Sequence, residues 1–454
     1  NYPGAAAILK CVYEGLLVPF DTGLRIEQRY FTNVLMTTEA GMMIRSLFVS
    51  LQELNKGARR PKDVKPSKIK KVGIVGAGFM GASIGYATAK AGFRAVLIDR
   101  DQEAADKGKA ISADLITKDM QKGRATQADK DALLGLIEAT PDYAALANCD
   151  LVIEAVFEDR DVKRVVTEKA EAAIKSSAIM ASNTSTLPIT GLAKVSARPK
   201  NFIGIHFFSP VDKMMLVEII MGKKTGEKAL ALALDYVRAI KKTPIVVNDT
   251  RGFYVNRCVL QYMSEAYNML IEGVPAIMIE NAAKMAGMPV GPLSLNDETA
   301  IDLSQKILKA ALADLGPKAI NPKHLDLVNA MVDKHDRKGR KNGKGFYDYP
   351  AKPAKKHIWP GLKDLYPQQN PDKVNVAELK ERFLTVIALE AARVMEEGIV
   401  TDPREADVGS ILAFGFAPYT GGTLSYIDGM GAAQFVKRAK ALQKKYGPQY
   451  KVPK

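Results

Sequence analysis

The chain has 454 residues, of which 47% are apolar and 25% charged, and its formal net charge is +15. This length predicts roughly two to four domains, and no apolar run approaches the ~18 residues that a membrane span requires. The scattered cysteines Cys11, Cys149 and Cys258 disfavour disulfide frameworks and zinc sites and favour a reducing compartment. No signal-peptide pattern is present, so a cytoplasmic protein is expected. The scattered cysteines also lead us to expect no bound metal. The basic residues form no tract interleaved with aromatics, which disfavours nucleic acid as a partner.

Residues 1–66 predict a helical linker segment. Apolar positions recur at helical spacing from Leu24 to Leu54, and the stretch NKGARRPKDVKPSK that follows is typical of a linker. Two interpretations remain open. The segment is either a simple helical extension or the end of a preceding domain.

Residues 67–250 predict an α/β Rossmann-type dinucleotide-binding domain. A buried-strand pattern, KKVGIV, leads into the glycines Gly76, Gly78 and Gly81, and a helical pattern and a second strand, Arg94–Ile98, follow. A bare G-x-G-x-x-G is weak evidence, but strand, glycines, helix and strand in this order are a much stronger signal. Gly76 permits the tight turn, Gly78 lets a pyrophosphate approach the helix N-terminus, and Gly81 allows close helix packing.

The second strand ends at Asp99, 23 positions after Gly76. A carboxylate there accepts hydrogen bonds from both ribose hydroxyls and repels a 2′-phosphate, which favours NAD over NADP. Arg100 tempers that preference, because a guanidinium could bind the phosphate.

Residues 101–138 predict charged helices whose lysines are most simply a solvated face. The alternative is that Lys109 and Lys122 contact an anionic substrate tail. The pattern DLVIEAV then predicts a buried strand that ends near Glu154 and Glu158. A further strand ends in Asn183, Thr184, Ser185 and Thr186, which are either ligand-facing or an ordinary capped turn before Pro188.

Two apolar runs, Phe202–Phe208 and Leu216–Ile220, predict neighbouring strands. The first carries His206 and the second carries Glu218. A lone histidine in an apolar run is most often a core residue with its hydrogen bonds satisfied. A carboxylate one strand away changes this expectation, because it can fix the imidazole tautomer and stabilise imidazolium, as a general base requires.

From residue 251 onward the pattern is helical, and it predicts a first helical domain at 251–350 and a second at 351–454. The two copies are similar in sequence. Arg257 corresponds to Arg382, and Glu265 corresponds to Glu390, each 125 positions later, although the second copy has Glu381 where the first has Asn256. The predicted fold is therefore a Rossmann-type domain followed by a duplicated all-α domain.

These motifs together resemble those of NAD-dependent L-3-hydroxyacyl-CoA dehydrogenases, in particular the α-subunits of bacterial multifunctional β-oxidation enzymes. The resemblance covers essentially the whole chain and rests on GAGFMG, VIEAVFED, SNTSTL, HFFSP, LVEII, GFYVNR, KNGKGFYDY, IWPGL and the duplicated EEG…PYTGG unit. Residues 1–66 resemble the segment that joins the hydratase and dehydrogenase domains of those enzymes. The sequence is therefore expected to be a fragment or short form that lacks the enoyl-CoA hydratase half.

The resemblance implies an enzyme that converts (3S)-3-hydroxyacyl-CoA to 3-oxoacyl-CoA. His206 would be the base, Glu218 its orienting carboxylate, and Ser185, Asn256 and Tyr426 would contact substrate. The implied NAD-binding positions are Gly76, Gly78, Met80, Gly81, Asp99, Val156, Glu158, Lys163, Ser185, Ser209 and Lys341. A thiolase subunit is an implied partner, and the two helical copies are expected to form an internal pseudo-dimer.

Two departures from the family pattern stand out. Ser209 follows HFF where many relatives have Asn, and GPLSLNDETAID keeps Asp297 and Asp302 but has Thr299 and Ala300 between them. Two other functions remain open. A dehydrogenase of sugars or amino acids would be expected to use a lysine in place of His206, and a catalytically silent NAD-binding scaffold would not need the set Ser185, His206, Glu218 and Asn256.

Overall fold

The computed structural model describes residues 2–453, which form two compact units. The sheet unit comprises residues 44–256 and 394–413. The helical unit comprises residues 2–43, 257–393 and 414–453. Residues 44–66, predicted as linker, and residues 394–413, predicted as part of the second helical domain, both belong to the sheet unit.

Within the described residues, eight strands form one sheet in the order β3-β2-β1-β4-β5-β6-β7-β8. The strands are β1 Lys71–Val75, β2 Arg94–Ile98, β3 Ile137–Thr140, β4 Leu151–Glu154, β5 Ile179–Ser182, β6 Phe202–Phe207, β7 Leu216–Met221 and β8 Thr243–Asn248. All neighbouring pairs are parallel except β6 and β7, which are antiparallel. A two-stranded sheet in the helical unit pairs β9 Tyr347–Asp348 with β10 His357–Ile358.

The α-helices, in chain order, are α1 Pro3–Gly15, α2 Phe20–Leu35, α3 Thr38–Met43, α4 Leu51–Asn55, α5 Phe79–Lys90, α6 Gln102–Gln121, α7 Gln127–Gly135, α8 Arg160–Ala173, α9 Ile189–Leu192, α10 Glu227–Ala239, α11 Val255–Ile271, α12 Ala276–Met285, α13 Pro292–Thr299, α14 Ile301–Leu315, α15 Pro322–Asn329, α16 Leu362–Leu365, α17 Val376–Glu396, α18 Pro403–Phe414, α19 Thr423–Met430 and α20 Ala432–Tyr446. π-Helical turns span Ile44–Ser50 and Ala330–Lys334. Short 3₁₀ turns span Tyr143–Leu146, Ala193–Val195, Pro199–Asn201, Pro317–Ala319, Arg340–Asn342, Pro371–Lys373, Pro418–Thr420 and Pro448–Tyr450.

The central strands of the sheet are buried, which explains their nearly continuous apolar sequences. The chain runs from β1 outward to β2 and β3, then crosses to the other side of β1 to form β4, β5 and β6. The strand order therefore reverses between β1 and β4. In open α/β sheets, ligands bind at the carboxyl ends of the strands at such a reversal.

Two local predictions were wrong. The helix predicted from Leu24 to Leu54 is interrupted at Met36 and Thr37, because the Thr37 hydroxyl donates to the carbonyl of Val34 at 2.7 Å and accepts from the N–H of Ala40 at 3.3 Å. The helical region predicted up to Glu138 ends earlier, since residues 137–140 form β3. Strand pairing with β2, which no local pattern encodes, determines that outcome.

The segment 394–413 covers the last strand of the sheet. The N–H of Asn248 donates to the carbonyl of Ile399 at 2.7 Å, and Val247 forms an antiparallel bridge with Val400. Glu405, at the start of α18, accepts the N–H of Val246 at 2.8 Å. An edge strand presents unpaired backbone groups, and this segment of the second predicted helical copy satisfies several of them.

The helical unit contains two backbone segments of matching form. Helices α13 and α14 are 8 and 15 residues long, and α19 and α20 have the same two lengths 131 positions later. The joint between each pair has nearly the same dihedrals: φ is 78° and ψ 123° at Ala300, and φ is 86° and ψ 127° at Gly431. Each segment then ends at a glycine with positive φ, Gly316 or Gly447, followed by a 3₁₀ turn.

Helices α11 and α17 exchange two ion pairs in the helical unit. Nε of Arg257 lies 2.7 Å from a carboxylate oxygen of Glu390, and Nε of Arg382 lies 2.6 Å from one of Glu265. Each of the two helices therefore supplies the arginine of one pair and the glutamate of the other.

No single helix of the described chain is both long and apolar enough to cross a membrane. The pair Phe20–Leu35 and Thr38–Asn55, separated by a bend, passes that test together by length and composition.

Candidate active site

His206 and Glu218 are directly opposite each other in the antiparallel pair β6–β7. Nδ1 of His206 lies 2.8 Å from Oε2 of Glu218, and both residues are buried. The predicted pairing of the two side chains across neighbouring strands is confirmed. An ionised Glu218 can only accept hydrogen bonds, so Nδ1 would then be the donor, and Nε2 of the neutral imidazole would keep its lone pair.

Glu218 is held by further contacts at the start of α11. Its other oxygen accepts the backbone N–H of Tyr254 at 3.1 Å and that of Val255 at 2.9 Å. Charge-assisted bonds of this kind at a helix N-terminus stabilise the ionised carboxylate. The negative charge beside His206 is therefore fixed in position before any substrate arrives.

Aromatic rings surround His206. The ring of Phe208 lies 4.4 Å away and that of Phe253 lies 5.9 Å away, centroid to centroid. Phe253 has φ of 52°, an uncommon conformation for a bulky residue that is found where surrounding structure enforces it. Neither phenylalanine was predicted from the sequence as a site residue. The sequence signal for Phe253 is the glycine that precedes it in GFYVNR, since glycine often marks an unusual backbone turn. In the structure Gly252 also has positive φ.

Ser185 and Asn256 are brought together by a hydrogen bond. The side-chain amide of Asn256 donates to the backbone carbonyl of Ser185 at 2.7 Å, and the N–H of Ser185 donates to Glu158 at 2.8 Å. The same Glu158 oxygen accepts from the Thr184 hydroxyl at 2.6 Å and from the N–H of Thr186 at 3.0 Å. The loop after β5 is thus wrapped around one carboxylate.

Burial raises the pKa of the Glu158 carboxyl, but the Lys163 ammonium and the donors of the β5 loop outweigh burial and lower it overall. Glu158 is therefore ionised throughout the neutral range.

Lys163 is buried between two carboxylates. Its ammonium lies 2.8 Å from Glu154 and 3.4 Å from Glu158. Glu154 also accepts from the Ser182 hydroxyl at 2.6 Å and from the N–H of Val156 at 2.8 Å. These contacts fix the loop after β4 against the end of β5, so the predicted positions Val156, Glu158 and Lys163 lie in one connected network.

The glycine loop after β1 makes a tight turn into helix α5. Gly76 has φ of 100°, and a Cβ there would lie 2.7 Å from the carbonyl oxygen of Ala155. A Cβ at Gly81 would overlap the carbonyl oxygen of Gly76, whereas one at Gly78 would meet nothing within 4 Å. Gly78 is the N-cap of α5, and no described side chain caps that helix. Its first turn therefore offers N–H donors to an anion.

The remaining predicted cofactor residues of the sheet unit lie near or follow these loops. Oδ2 of Asp99 accepts the N–H of Ala77 at 2.7 Å, which places the carboxylate beside the glycine loop. Met80 is partly buried against the hydrophobic core, and Ser209 is exposed after β6. Together with the open space at Gly78, these positions fit a dinucleotide cofactor.

Two predicted residues lie in the helical unit. The ammonium of Lys341 pairs with Asp302 at 2.5 Å. The ring of Tyr426 packs edge-on against Phe416 and Phe435, and burial raises the pKa of its hydroxyl to about 12. Their roles toward cofactor and substrate stay predictions.

Family comparisons assign both parts of the chain to one family. Residues 71–250 match the NAD-binding domain of 3-hydroxyacyl-CoA dehydrogenase, and residues 252–349 match the C-terminal domain of the same family.

Curated relatives include the fatty acid oxidation complex subunit alpha of Shewanella halifaxensis, with 37% identity over 451 residues, and that of Shewanella amazonensis, with 38% identity over 456 residues. In both cases the match covers 99% of this chain and 63% of the relative. The chain therefore spans less than two thirds of the length of these relatives.

Solved structures agree with these matches. (S)-3-Hydroxybutyryl-CoA dehydrogenase PaaH1 from Ralstonia eutropha is 35% identical and matches over its entire length and 63% of this chain, with a TM-score of 0.59. 3-Hydroxybutyryl-CoA dehydrogenase from Escherichia coli shares the fold over 85% of this chain and 97% of its own, with a TM-score of 0.73 at 23% identity. The chain belongs to the 3-hydroxyacyl-CoA dehydrogenase family.

Proposed function

We propose that this chain oxidises (3S)-3-hydroxyacyl-CoA to 3-oxoacyl-CoA with NAD. The observation that carries the proposal is the contact of 2.8 Å between Nδ1 of His206 and Glu218. It leaves Nε2 of His206 able to accept a proton, and a fixed carboxylate stabilises the imidazolium that results. Loss of a hydride from C3 makes the C3 hydroxyl acidic, so this step needs a base that works near neutral pH.

Each predicted site residue has a role in this scheme. His206 takes the proton of the C3 hydroxyl, and Glu218 orients the imidazole and offsets its charge. Ser185 donates a hydrogen bond to the substrate oxygen, and Asn256 contacts the substrate beside it. The hydrogen bond from Asn256 to the Ser185 backbone supports this pairing of roles, because it leaves the serine hydroxyl available for another partner.

When bound, NAD supplies the nicotinamide ring that accepts the hydride. The residues proposed to hold the cofactor are Gly76, Gly78, Met80, Gly81, Asp99, Val156, Glu158, Lys163, Ser185, Ser209 and Lys341. The open space at Gly78 and the uncapped first turn of α5 support the phosphate position. The location of Asp99 beside Ala77 supports its predicted contact with the adenosine ribose and the preference for NAD.

A turnover assay tests the proposal directly. Purified chain is mixed with acetoacetyl-CoA and NADH, and the fall in NADH absorbance is followed. We expect steady turnover with NADH and much slower turnover with NADPH. If the chain binds NADH but shows no turnover, the result would favour the alternative of a catalytically silent NAD-binding scaffold.

We further propose that the chain acts in fatty-acid β-oxidation next to a thiolase subunit. The matched relatives are named as subunits of a fatty acid oxidation complex, which supports a partner protein. Because the chain spans 63% of those relatives, the activities of the whole complex do not transfer to it. The cytoplasm stays the predicted location.

We also propose that the helical unit is a duplicated domain folded as an internal pseudo-dimer. The matching lengths of α13–α14 and α19–α20 support the duplication, and the reciprocal pairs Arg257–Glu390 and Arg382–Glu265 are the pattern of a two-fold interface. Glu381, at the position that corresponds to Asn256, pairs with Arg438 at 2.8 Å. We therefore expect one active site per chain, with Tyr426 as a substrate neighbour and not a second catalytic centre.

A further inference from the structure

The sheet unit contains a second concave surface at the amino ends of the parallel strands. This groove has a volume of ≈ 440 Å³ and is lined near the starts of β4 and β5 by Asp150, Lys175 and Ile179. The glycine loop and the loops after β4 and β5 lie at the carboxyl ends of the same strands. The groove is therefore separate from the cofactor site, and its volume lies within the ~300–1,000 Å³ range of small-molecule sites.

Positive charge dominates the lining of the groove. Four lysines and two aspartates line it, namely Lys65, Lys68, Lys175, Lys228, Asp63 and Asp150. Lys175 pairs with Asp150 at 2.6 Å. Across residues 2–453, neither an acidic side chain nor any other hydrogen-bond acceptor contacts the ammonium groups of Lys65, Lys68 and Lys228. Three free ammonium groups around one groove favour an anion with more than one negative charge.

One wall of the groove is held rigidly although it has no regular secondary structure. Arg60 pairs with Asp235 of α10 at 2.8 Å and donates to the carbonyls of Val64 at 2.6 Å and Lys65 at 2.8 Å. The other oxygen of Asp235 accepts the N–H of Ser67 at 2.9 Å. The opposite wall is fixed as well, since Asp150 accepts the N–H of Lys70 at 2.8 Å while it holds Lys175. A preformed site of this kind binds with little ordering cost.

The lining also has an apolar part, which comprises Val64, Ile179 and Leu232. An inorganic anion has no use for such a surface, whereas a base or sugar ring attached to phosphates does. We propose that this groove binds the phosphorylated nucleotide end of coenzyme A, with Lys65, Lys68 and Lys228 contacting its phosphates. The choice of coenzyme A rests on the proposed function. The groove would hold an acyl-CoA at a distance from His206, as a docking site and not a reaction site.

Lysine footprinting of the full chain tests the proposal. The chain is first saturated with NADH, which fills the cofactor site. It is then treated with an amine-acetylating reagent in the presence or absence of coenzyme A, and the modified lysines are quantified by mass spectrometry. We expect coenzyme A and adenosine 3′,5′-bisphosphate to protect Lys65, Lys68 and Lys228 several-fold. Lys169, Lys223 and Lys224, which are exposed elsewhere on the sheet unit, serve as references that stay reactive. Equal protection by inorganic pyrophosphate, or none by coenzyme A, would overturn the assignment.

A charge-removal variant provides the second measurement. The triple variant Lys65→Ala, Lys68→Ala, Lys228→Ala should bind coenzyme A at one site instead of two in calorimetry, with affinity for the lost site reduced about tenfold or more. The matched variant Lys169→Ala, Lys223→Ala, Lys224→Ala should retain both sites. Two unchanged sites in the first variant would refute the proposal. The dehydrogenase assay tests the proposed function separately from the groove. If the chain is inactive but coenzyme A still protects the three lysines, the proposed function is wrong and the binding groove is supported.

Discussion

His206 and Glu218 are register partners in the antiparallel pair β6–β7, with 2.8 Å between Nδ1 and Oε2. Side chains directly opposite each other in such a pair lie on the same face of the sheet, so backbone pairing alone brings the imidazole to the carboxylate. The second oxygen of Glu218 is occupied by the N–H groups of Tyr254 and Val255. The acid thus joins the histidine strand to the first turn of α11.

The first prediction concerns His206 itself. The variant His206→Gln should lower turnover of acetoacetyl-CoA by roughly 10²–10⁴-fold, the usual loss when a positioned general base is removed. The affinity for NADH should stay nearly unchanged, since His206 has no proposed contact with the cofactor phosphates. Steady-state kinetics and NADH fluorescence titration measure the two quantities.

His357→Gln is the matched control, because that histidine is exposed. It should leave both values as they are. A His206→Gln protein that keeps more than a tenth of normal turnover would remove His206 from the role of base.

The second prediction separates two glycines of the cofactor loop. Gly78→Ala places its methyl group in open space, so the melting temperature should stay close to that of the parent chain. The same methyl group occupies the proposed phosphate position, and NADH affinity should fall about tenfold or more. Gly81→Ala should instead lower the melting temperature clearly, because its Cβ overlaps the carbonyl of Gly76.

Gly191→Ala is the control for a helical glycine with no near neighbours and should change neither quantity. Undiminished NADH binding by Gly78→Ala would place the phosphates elsewhere.

The third prediction is a pH dependence of stability that arises at Glu405. Burial raises the pKa of this carboxyl to about 7 from an ordinary value of 4.5, although the nearby Arg59 acts in the opposite direction. Between these two pH values the folded state binds more protons than the unfolded state. The free energy of unfolding therefore falls as the pH rises through this window, and the loss is complete by about pH 8.

Removing the titration should remove this loss. Glu405→Gln can still accept the N–H of Val246, and its free energy of unfolding should fall less between pH 5 and 8 than that of the parent, by a few kcal/mol at most. Denaturant titrations at both pH values measure the difference, with the exposed Glu168→Gln as reference. Parallel pH profiles for the parent and Glu405→Gln would contradict the raised pKa.

The fourth prediction exploits the two equivalent joints Ala300 and Gly431. Both have positive φ, which favours glycine over alanine by about 1 kcal/mol. Ala300→Gly should therefore raise the free energy of unfolding by about that amount, and Gly431→Ala should lower it. A Cβ at Gly431 meets nothing within 4 Å, so the lower stability of Gly431→Ala would come from backbone strain and not from a steric clash. Equal stability of all three proteins would show that the two joints differ from the described backbone.

The fifth prediction compares two arginines of the helical unit, Arg382 in α17 and Arg438 in α20. Arg382 is buried, contacts Glu265 and Glu272, and lies 3.7 Å from the ring centre of Tyr446. Arg382→Ala leaves the buried Glu265 carboxylate without its cationic partner and should cost about 3–5 kcal/mol. Arg438→Ala breaks the half-exposed pair with Glu381 and should cost less than about 1 kcal/mol.

Chemical denaturation gives both free energies, and light scattering reports whether Arg382→Ala also associates through the surface it exposes. Similar losses for the two variants would argue against a reciprocal ion-pair interface in the helical unit.

Local sequence patterns were sufficient to predict the sheet around the glycine loop and the residue types near it. Apolar runs, glycine spacing and the acid at Asp99 are local signals, because each follows from what one strand or one turn demands of its own residues. The pairing of His206 with Glu218 could also be predicted from the sequence. Side chains alternate between the two faces of a sheet, so two adjacent strands bring only a few residues together on one face.

Other features depend on contacts between segments that are far apart in the sequence. Strand β3 exists through its pairing with β2, and residues 394–413 belong to the sheet because Val246, Val247 and Asn248 need partners at its last strand. Phe253 reaches His206 through a backbone conformation that a bulky residue rarely adopts alone. The lysines of the proposed nucleotide groove lie 163 positions apart in sequence, from Lys65 to Lys228. Contacts between distant segments have no signature in a local pattern, because their stability depends on which surfaces the folded chain brings together.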